Sequence, residues 1–262
     1  MEEPEIFFIV PYRNREAHLE IFMNQMKVIL GNMNYMILIS HQCDTRPFNR
    51  GGLKNLGFIW IKKNYPNTYK DKTLVISDVD SVYYRGGILK WKTTHGVIKH
   101  FYGCNPKDCK ALGGIFSITG GDYEKLNGFP NYWAWGYEDN ALYQRALQRK
   151  IKIDYSQFSG MGSKYVIVFW HGPKRDVSEV ETWKMYDTER RNINGYGLSH
   201  IKNIKHELLK IDDKIFYLQN KNFDVPEKKP KKIELKKPSK TFRDSFVNKK
   251  EGFYNNLFLG LK

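Results

Sequence analysis

Residues 73–80 read TLVISDVD, a strand-like apolar run that stops at two carboxylates, Asp78 and Asp80, on either side of Val79. The same motif of apolar run and polar exit occurs twice upstream. EIFFIV (5–10) ends in Pro-Tyr-Arg-Asn-Arg, and YMILIS (35–40) forms a second run. Between them lie REAHLEIFMNQMKVIL (15–30), with apolar residues at helical spacing, and between the second and third lies the helix NRGGLKNLGFIWIKKNY (49–65). Strands alternating with helices predict an α/β domain with a mostly parallel central sheet flanked by helices. In such sheets ligands bind at the carboxyl ends of strands. Both the PYRNR loop and the DVD triplet fall at those ends.

Downstream, residues 81–110 are polar and punctuated by glycine, and GGIFSITGGDYEKLNGF (113–129) reads as strand, turn and short helix. EDNALYQRALQRK (138–150) is a helix with acids in its first turn and bases in its last, which suits the helix dipole. YVIVFWHG (165–172) reads as another buried strand, carrying His171 at its end. Pro173 to about Gly197 is charged and weakly patterned, a mobile loop with Gly195 and Gly197 as hinges, and SHIKNIKHELLK (199–210) is expected to be helical.

With 262 residues and 41% hydrophobic content the chain has material for a buried core. The formal charge of +15 would suggest a polyanionic partner, but it is unevenly placed. Residues 226–250 hold ten Lys or Arg against three acids and so supply +7, leaving +8 for the rest. A Lys/Pro run cannot bury enough apolar surface to order itself, so this stretch is expected to be a solvated linker or tail, with nucleic-acid binding the disfavoured reading. The closing residues 251–262 have an apolar side that suits packing better than a membrane surface. The acidic start MEEPE and the short FFIV run do not make a signal peptide, and no stretch approaches the roughly 20 apolar residues of a membrane span. The expectation is therefore a soluble globular domain over 1–225. Three cysteines, Cys43, Cys104 and Cys109, fit reduced thiols better than a disulfide framework or a zinc site.

Two constellations carry chemistry. Asp-X-Asp leaving a strand end is a hard-oxygen site for a divalent cation, which would in turn neutralise a diphosphate, although such pairs also make ordinary turns. His171 adds an imidazole, and one imidazole with one carboxylate is a partial set for Mn²⁺. In NGFPNYWAWGYEDN (127–140), Trp133 and Trp135 precede Gly136, and aromatic faces near acids are how proteins hold sugars. Packing would explain the rings alone. It does not explain Glu138 and Asp139 at a helix start, where backbone N–H groups keep carboxylates ionised.

In order along residues 5–205, IVPYRNREAHL, FNRGGLKNLGF, SDVDSV, LGGIFSITGGDYEKLNGFPNYWAWGYEDN and the strand ending at His171 resemble the β-1,4-galactosyltransferase family. The resemblance implies a GT-A type fold that binds a UDP-sugar and transfers the sugar with inversion to a glycan or glycoprotein acceptor. It implies nucleotide contacts from Pro11, Tyr12, Arg13, Arg15, Phe48 and Arg50, and donor contacts from Asp78, Val79, Gly114 and Trp135. Asp80 and His171 would hold Mn²⁺, or Mg²⁺ less selectively. Glu138, Asp139, Asn140 and Trp135 would meet the acceptor, with Asp139 where the family has its catalytic base. The segment after His171 resembles the family's lid.

Three departures from the family pattern, at four positions, stand out. Val168 stands where vertebrate members carry a Met three residues before the metal-binding His, and Pro173 where others carry a second His. Asn140 replaces an acid. Ala111 replaces a Tyr beside the donor sugar's C2, which makes room for an acetamido group, so UDP-GalNAc or UDP-GlcNAc joins UDP-galactose as an expected donor. Competing readings are an inactive sugar- or nucleotide-binding module of the same fold, a chondroitin- or polypeptide-type N-acetylgalactosaminyltransferase, and a tail-driven nucleic-acid binder. Family members work in the secretory lumen behind an anchor; without one, the cytosol, a nonstandard route or a virus that modifies its own glycans is the expected setting.

Overall fold

The computed structural model describes residues 2–107, 109–133, 136–169, 186–187 and 195–225. Trp135, His171, Pro173, most of the expected lid, the basic tail 226–250 and the closing segment 251–262 lie outside the described residues.

β1 (Ile6–Tyr12), α1 (Glu16–Leu30), β2 (Tyr35–Gln42), α2 (Arg50–Asn64) and β3 (Thr73–Ser77) follow the expected order. β1 lies between β2 and β3 and pairs with both in parallel. The chain thus steps to one side of β1 and then crosses to the other, which opens a crevice at the carboxyl ends of β1 and β3. β1 is buried at every position, and its side chains alternate between two cores. Phe8 and Val10 pack with Leu19, Phe22 and Met26 of α1, whereas Phe7 and Ile9 pack with Phe58 and Ile61 of α2.

β4 (Ser81–Tyr83), β5 (Val97–Gly103), β6 (Ile115–Thr119), α3 (Gly120–Lys125), α4 (Glu138–Gln148), β7 (Lys152–Asp154), β8 (Ser159–Gly160), β9 (Val166–Val168), β10 (Lys202–Lys210) and β11 (Ile215–Asp224) complete the described elements, with a single 3-10 turn at Leu198–His200. The central sheet runs β10-β11-β2-β1-β3-β6-β5-β7, and β8 adds to β5. It is parallel from β11 through β3 and antiparallel where β6 meets β3 and β5. The fold is the expected α/β sheet flanked by helices, in its mixed form.

Two local expectations are corrected. Residues 202–210, expected to be helical, form the edge strand β10, which pairs antiparallel with β11. An edge strand exposed on most of its length does not encode its face in apolar spacing; the ten-residue partner β11 decides its state. The expected buried strand at 165–172 is reduced to β9, which pairs with β4 in a separate two-stranded ribbon and leaves Ile167 43% exposed. Among the described residues, no helix is long and apolar enough to cross a membrane.

Candidate active site

The NGFPN turn (127–131) is what brings the second half of the chain to the crevice. Asn127 and Gly128 both have left-handed φ, at 57° and 58°. The buried Asn55 of α2 then makes four hydrogen bonds, three to the turn and one to Tyr123 of α3. Its amide nitrogen donates to Phe129 O at 2.7 Å and Asn131 Oδ1 at 2.8 Å, while its Oδ1 accepts from Phe129 N at 2.9 Å and Tyr123 Oη at 2.8 Å. From α4, Arg145 donates to Gly128 O at 2.6 Å. The turn approaches α2 so closely that a Cβ on Gly51 would lie 2.1 Å from Pro130 O. Trp133 stacks on Phe223 of β11 with centroids 5.2 Å apart, and the Arg46 guanidinium lies 4.3 Å from its ring. It is part of the scaffold.

With the turn fixed, α4 starts beside α2. Tyr137, in left-handed conformation, precedes Glu138, whose Oε2 accepts from Gly136 N at 3.1 Å. Asn49 caps the start of α2 by accepting from Gly52 N at 2.8 Å. Arg50, the first residue of α2, is therefore aimed at the start of α4 and the end of β3 together. Its Nη1 bonds Glu138 Oε1 at 2.5 Å and Asp139 Oδ2 at 2.8 Å; its Nη2 bonds Asp78 Oδ1 at 2.6 Å and Oδ2 at 2.5 Å. One guanidinium thus ties three acids that are separated by as many as 61 positions in the chain.

Lys54, one turn further along α2, contributes a second cation. Its Nζ is 2.9 Å from Asp139 Oδ1 and 4.1 Å from the centre of the Phe129 ring, and the side chain is 1% exposed. Burial by itself opposes the charge on Asp139, but Arg50 and Lys54 outweigh burial and hold its carboxyl below the ordinary value. Burial likewise opposes the charge of Arg50, which Asp139, Asp78 and Glu138 more than restore. Lys54 lies inside the FNRGGLKNLGF stretch but carries no expected role there. The one signal in the sequence is spacing, because residues 50 and 54 share a helix face.

The Gly113–Gly114 turn closes the other side. A Cβ on Gly113 would meet Asp139 Oδ2 at 2.7 Å, and Gly114, at φ +76°, would set a Cβ 2.3 Å from Tyr102 O. Leu112 N donates to Asp139 O at 3.0 Å, and the half-buried Ala111 precedes it. His100, pushed below the ordinary imidazole value by burial, sets its Nε2 2.8 Å from Gly113 O. Asn140 donates to Lys110 O at 3.0 Å and so steadies the approach to this turn.

The remaining expected residues form two neighbouring groups. Arg15 donates to Asp80 Oδ2 at 2.8 Å, and Ser81 Oγ is 3.2 Å from Oδ1. Arg13 donates to Arg46 O at 2.5 Å and lies 5.2 Å from the centre of the Phe48 ring. Pro11 and Tyr12 are buried in the last residues of β1, Tyr12 edge-on to His41 at 5.0 Å, and Val79 turns into the core. Phe169 N donates to Asp80 O at 2.8 Å, so the chain passes beside Asp80 two residues before His171 in sequence. A carboxylate on a strand-end loop, with a hydroxyl beside it, fits one side of a hard-cation site, although its Arg15 contact would have to loosen.

Comparison with known proteins follows this geometry. A family model described as the N-terminal region of glycosyl transferase group 7 matches residues 2–85, and one described as the N-terminal domain of galactosyltransferase matches residues 95–168. A xylosylprotein 4-beta-galactosyltransferase of Caenorhabditis elegans is 36% identical over 176 residues, covering 64% of this chain and 58% of the relative. Beta-1,4-galactosyltransferase 5 of Sus scrofa is 27% identical over 77% of this chain and 51% of its own length. The chain thus spans between half and two thirds of these relatives. The catalytic domain of Drosophila beta-1,4-galactosyltransferase 7, solved with xylobiose, superposes with a TM-score of 0.66 at 21% identity, over 86% of this chain and 96% of that one. A variant of that enzyme was solved with manganese, UDP-Gal and xylobiose, and superposes with a TM-score of 0.65 at 22% identity. The two models cover both halves of the described fold, and the chain belongs to glycosyltransferase group 7, the family of the β-1,4-galactosyltransferases, with its GT-A type fold.

Proposed function

We propose that residues 1–225 form the catalytic domain of a metal-dependent, inverting glycosyltransferase that moves a hexose or N-acetylhexosamine from a UDP-sugar to a hydroxyl of a glycan or glycoprotein. The observation that carries this reading is the cluster of Asp78, Glu138 and Asp139 around Arg50, built where the β1/β3 crevice meets the start of α4. Family membership, and the manganese and UDP-Gal held by the Drosophila relative, support it.

In this reading Arg13, Arg15, Phe48, Pro11, Tyr12 and Arg50 hold the nucleotide, and Asp78, Gly114 and Trp135 the donor sugar, with Val79, its side chain in the core, left only its backbone to offer. Asp80 and His171 would hold Mn²⁺, which supplies positive charge to the departing diphosphate. Glu138 and Asn140 orient the acceptor. Asp139 takes the proton of the acceptor hydroxyl. The cations that keep Asp139 ionised also weaken it as a base, so close positioning of the hydroxyl has to supply much of the effect.

Ala111 precedes the Gly113–Gly114 turn that lies against Asp139, and its small side chain suits an N-acetylhexosamine donor. The test is UDP release from UDP-galactose, UDP-GalNAc and UDP-GlcNAc with a sugar acceptor, with and without Mn²⁺. Metal-dependent release from at least one donor is expected. A chain that binds UDP but releases none from any donor would instead be an inactive binding module.

A further inference from the structure

We propose that Lys54 is a positioning residue for the transfer reaction: from the interior of α2 it anchors Asp139 through Oδ1 and so reserves Oδ2 as the oxygen that accepts the acceptor's proton. The inference rests on Asp139 being the base.

The two oxygens of Asp139 are held by unlike partners. Oδ1 is bonded to Lys54 Nζ at 2.9 Å, on a side chain that is 1% exposed and lies over the Phe129 ring. Oδ2 is bonded to Arg50 Nη1 at 2.8 Å, and the same nitrogen also serves Glu138. A buried ammonium that gave up its carboxylate would be stranded in a dry interior, so Lys54 stays. Arg50 divides its charge among three acids and can release one while keeping two. Glycine at position 113 also leaves the Oδ2 side clear, since a Cβ there would stand 2.7 Å from that oxygen.

The groups facing Asp139 are Arg50 and Lys54 from α2, His100 from β5 and Glu138 from its own helix, with Asp78 reached through Arg50. In the transfer step the acceptor oxygen bonds to the anomeric carbon while the bond from that carbon to UDP breaks. UDP leaves with the electron pair and the hydroxyl proton passes to Oδ2. Lys54 keeps its contact with Oδ1 throughout and holds the carboxylate in register.

The experiment compares the full chain with Lys54→Met, which fills the slot without charge, and Lys54→Gln, which can still donate to Oδ1. Two readouts are taken: the pH profile of kcat/KM for transfer, and the carboxyl carbon NMR titration of Asp139, assigned by its loss in Asp139→Asn. The expected result in both variants is an upward shift of the Asp139 midpoint and of the acid limb by about one pH unit or more. With it, kcat should fall while KM for the donor is kept, and Gln should retain more kcat than Met. An Asp139 midpoint equal to that of the unsubstituted chain, with Asp139→Asn inactive, overturns the anchor and leaves the base. Full turnover by Asp139→Asn removes the base itself, and the inference with it. If neither Lys54 variant folds, an Asp139 midpoint in the unsubstituted chain at or above the ordinary carboxylate value overturns the proposal.

Discussion

Arg50 lays a single guanidinium nitrogen, Nη2, across both carboxylate oxygens of Asp78, at 2.6 and 2.5 Å. A lysine at position 50 could meet one acid as a point charge, but it could not bridge Asp78, Glu138 and Asp139 together. Arg50→Lys is therefore expected to destabilise the fold by about 3 kcal/mol, because the acids are left partly unpaired in a largely buried site. It should also weaken UDP binding. Urea denaturation and calorimetric UDP titration read the two effects; an unchanged urea midpoint would contradict the cluster's role.

Asp139 gives a pH dependence whose sign is fixed. Its folded value lies below its unfolded value, because Arg50 and Lys54 outweigh burial. On acidification the unfolded chain therefore binds the proton first. The stability contributed by the ionised carboxylate is fully present above about pH 4 and is lost as the pH falls through the folded value. Asp139→Asn should flatten the loss of stability below about pH 4, measured by urea midpoints at each pH. An identical slope in the variant would show that Asp139 is not the ion-paired group described.

If Asp139 is the base as proposed, the same substitution should lower transfer by a factor on the order of 10² or more while UDP binding persists, since the Arg13 and Arg15 loop is left untouched. Near-normal turnover would remove Asp139 from the chemistry.

The sheet centre was legible because β1 and β3 are buried on both faces and read as unbroken apolar runs. β5 was not, since Lys99 and His100 interrupt it. Nor was β11, where Gln219 to Asn222 carry four polar residues in a row within a strand held by pairing to β2 and β10. In the site, Asp78, Glu138 and Asp139 could be named because each sits at the end or start of an element, and Arg50 through the family resemblance. Lys54 could not, because a lysine in a helix is by default solvated, and only the approach of Phe129 and Asp139 from the other half of the chain buries it.

Asn55 carries a prediction about the turn that aims the second half of the chain. It satisfies Phe129 N, Phe129 O, Tyr123 Oη and the Asn131 side chain in a fully buried position. Asn55→Leu keeps the volume and strands these groups without water. The expected cost is about 3 kcal/mol, read from the urea midpoint, with activity falling further than stability accounts for because α4 loses its fixed start. A variant as stable as the parent would mean that the turn's other hydrogen bonds, with Arg145, Asn49 and Leu198, are enough to hold it.

Ala111 sets the last expectation, which concerns donor choice. It stands two residues before Gly113, whose backbone lies against Asp139 Oδ2, so a ring introduced at 111 is expected to crowd the neighbourhood of Asp139. Ala111→Tyr should reduce transfer from UDP-GalNAc and UDP-GlcNAc by a factor of about 10 or more and leave UDP-galactose less affected. A lost fit of a few atoms is worth roughly 1–3 kcal/mol in discrimination. The measurement is the ratio of kcat/KM values across the three donors in parent and variant. If the parent uses only UDP-galactose and Ala111→Tyr leaves that unchanged, position 111 does not shape the donor pocket, and the acetamido reading is wrong even though the enzyme reading stands.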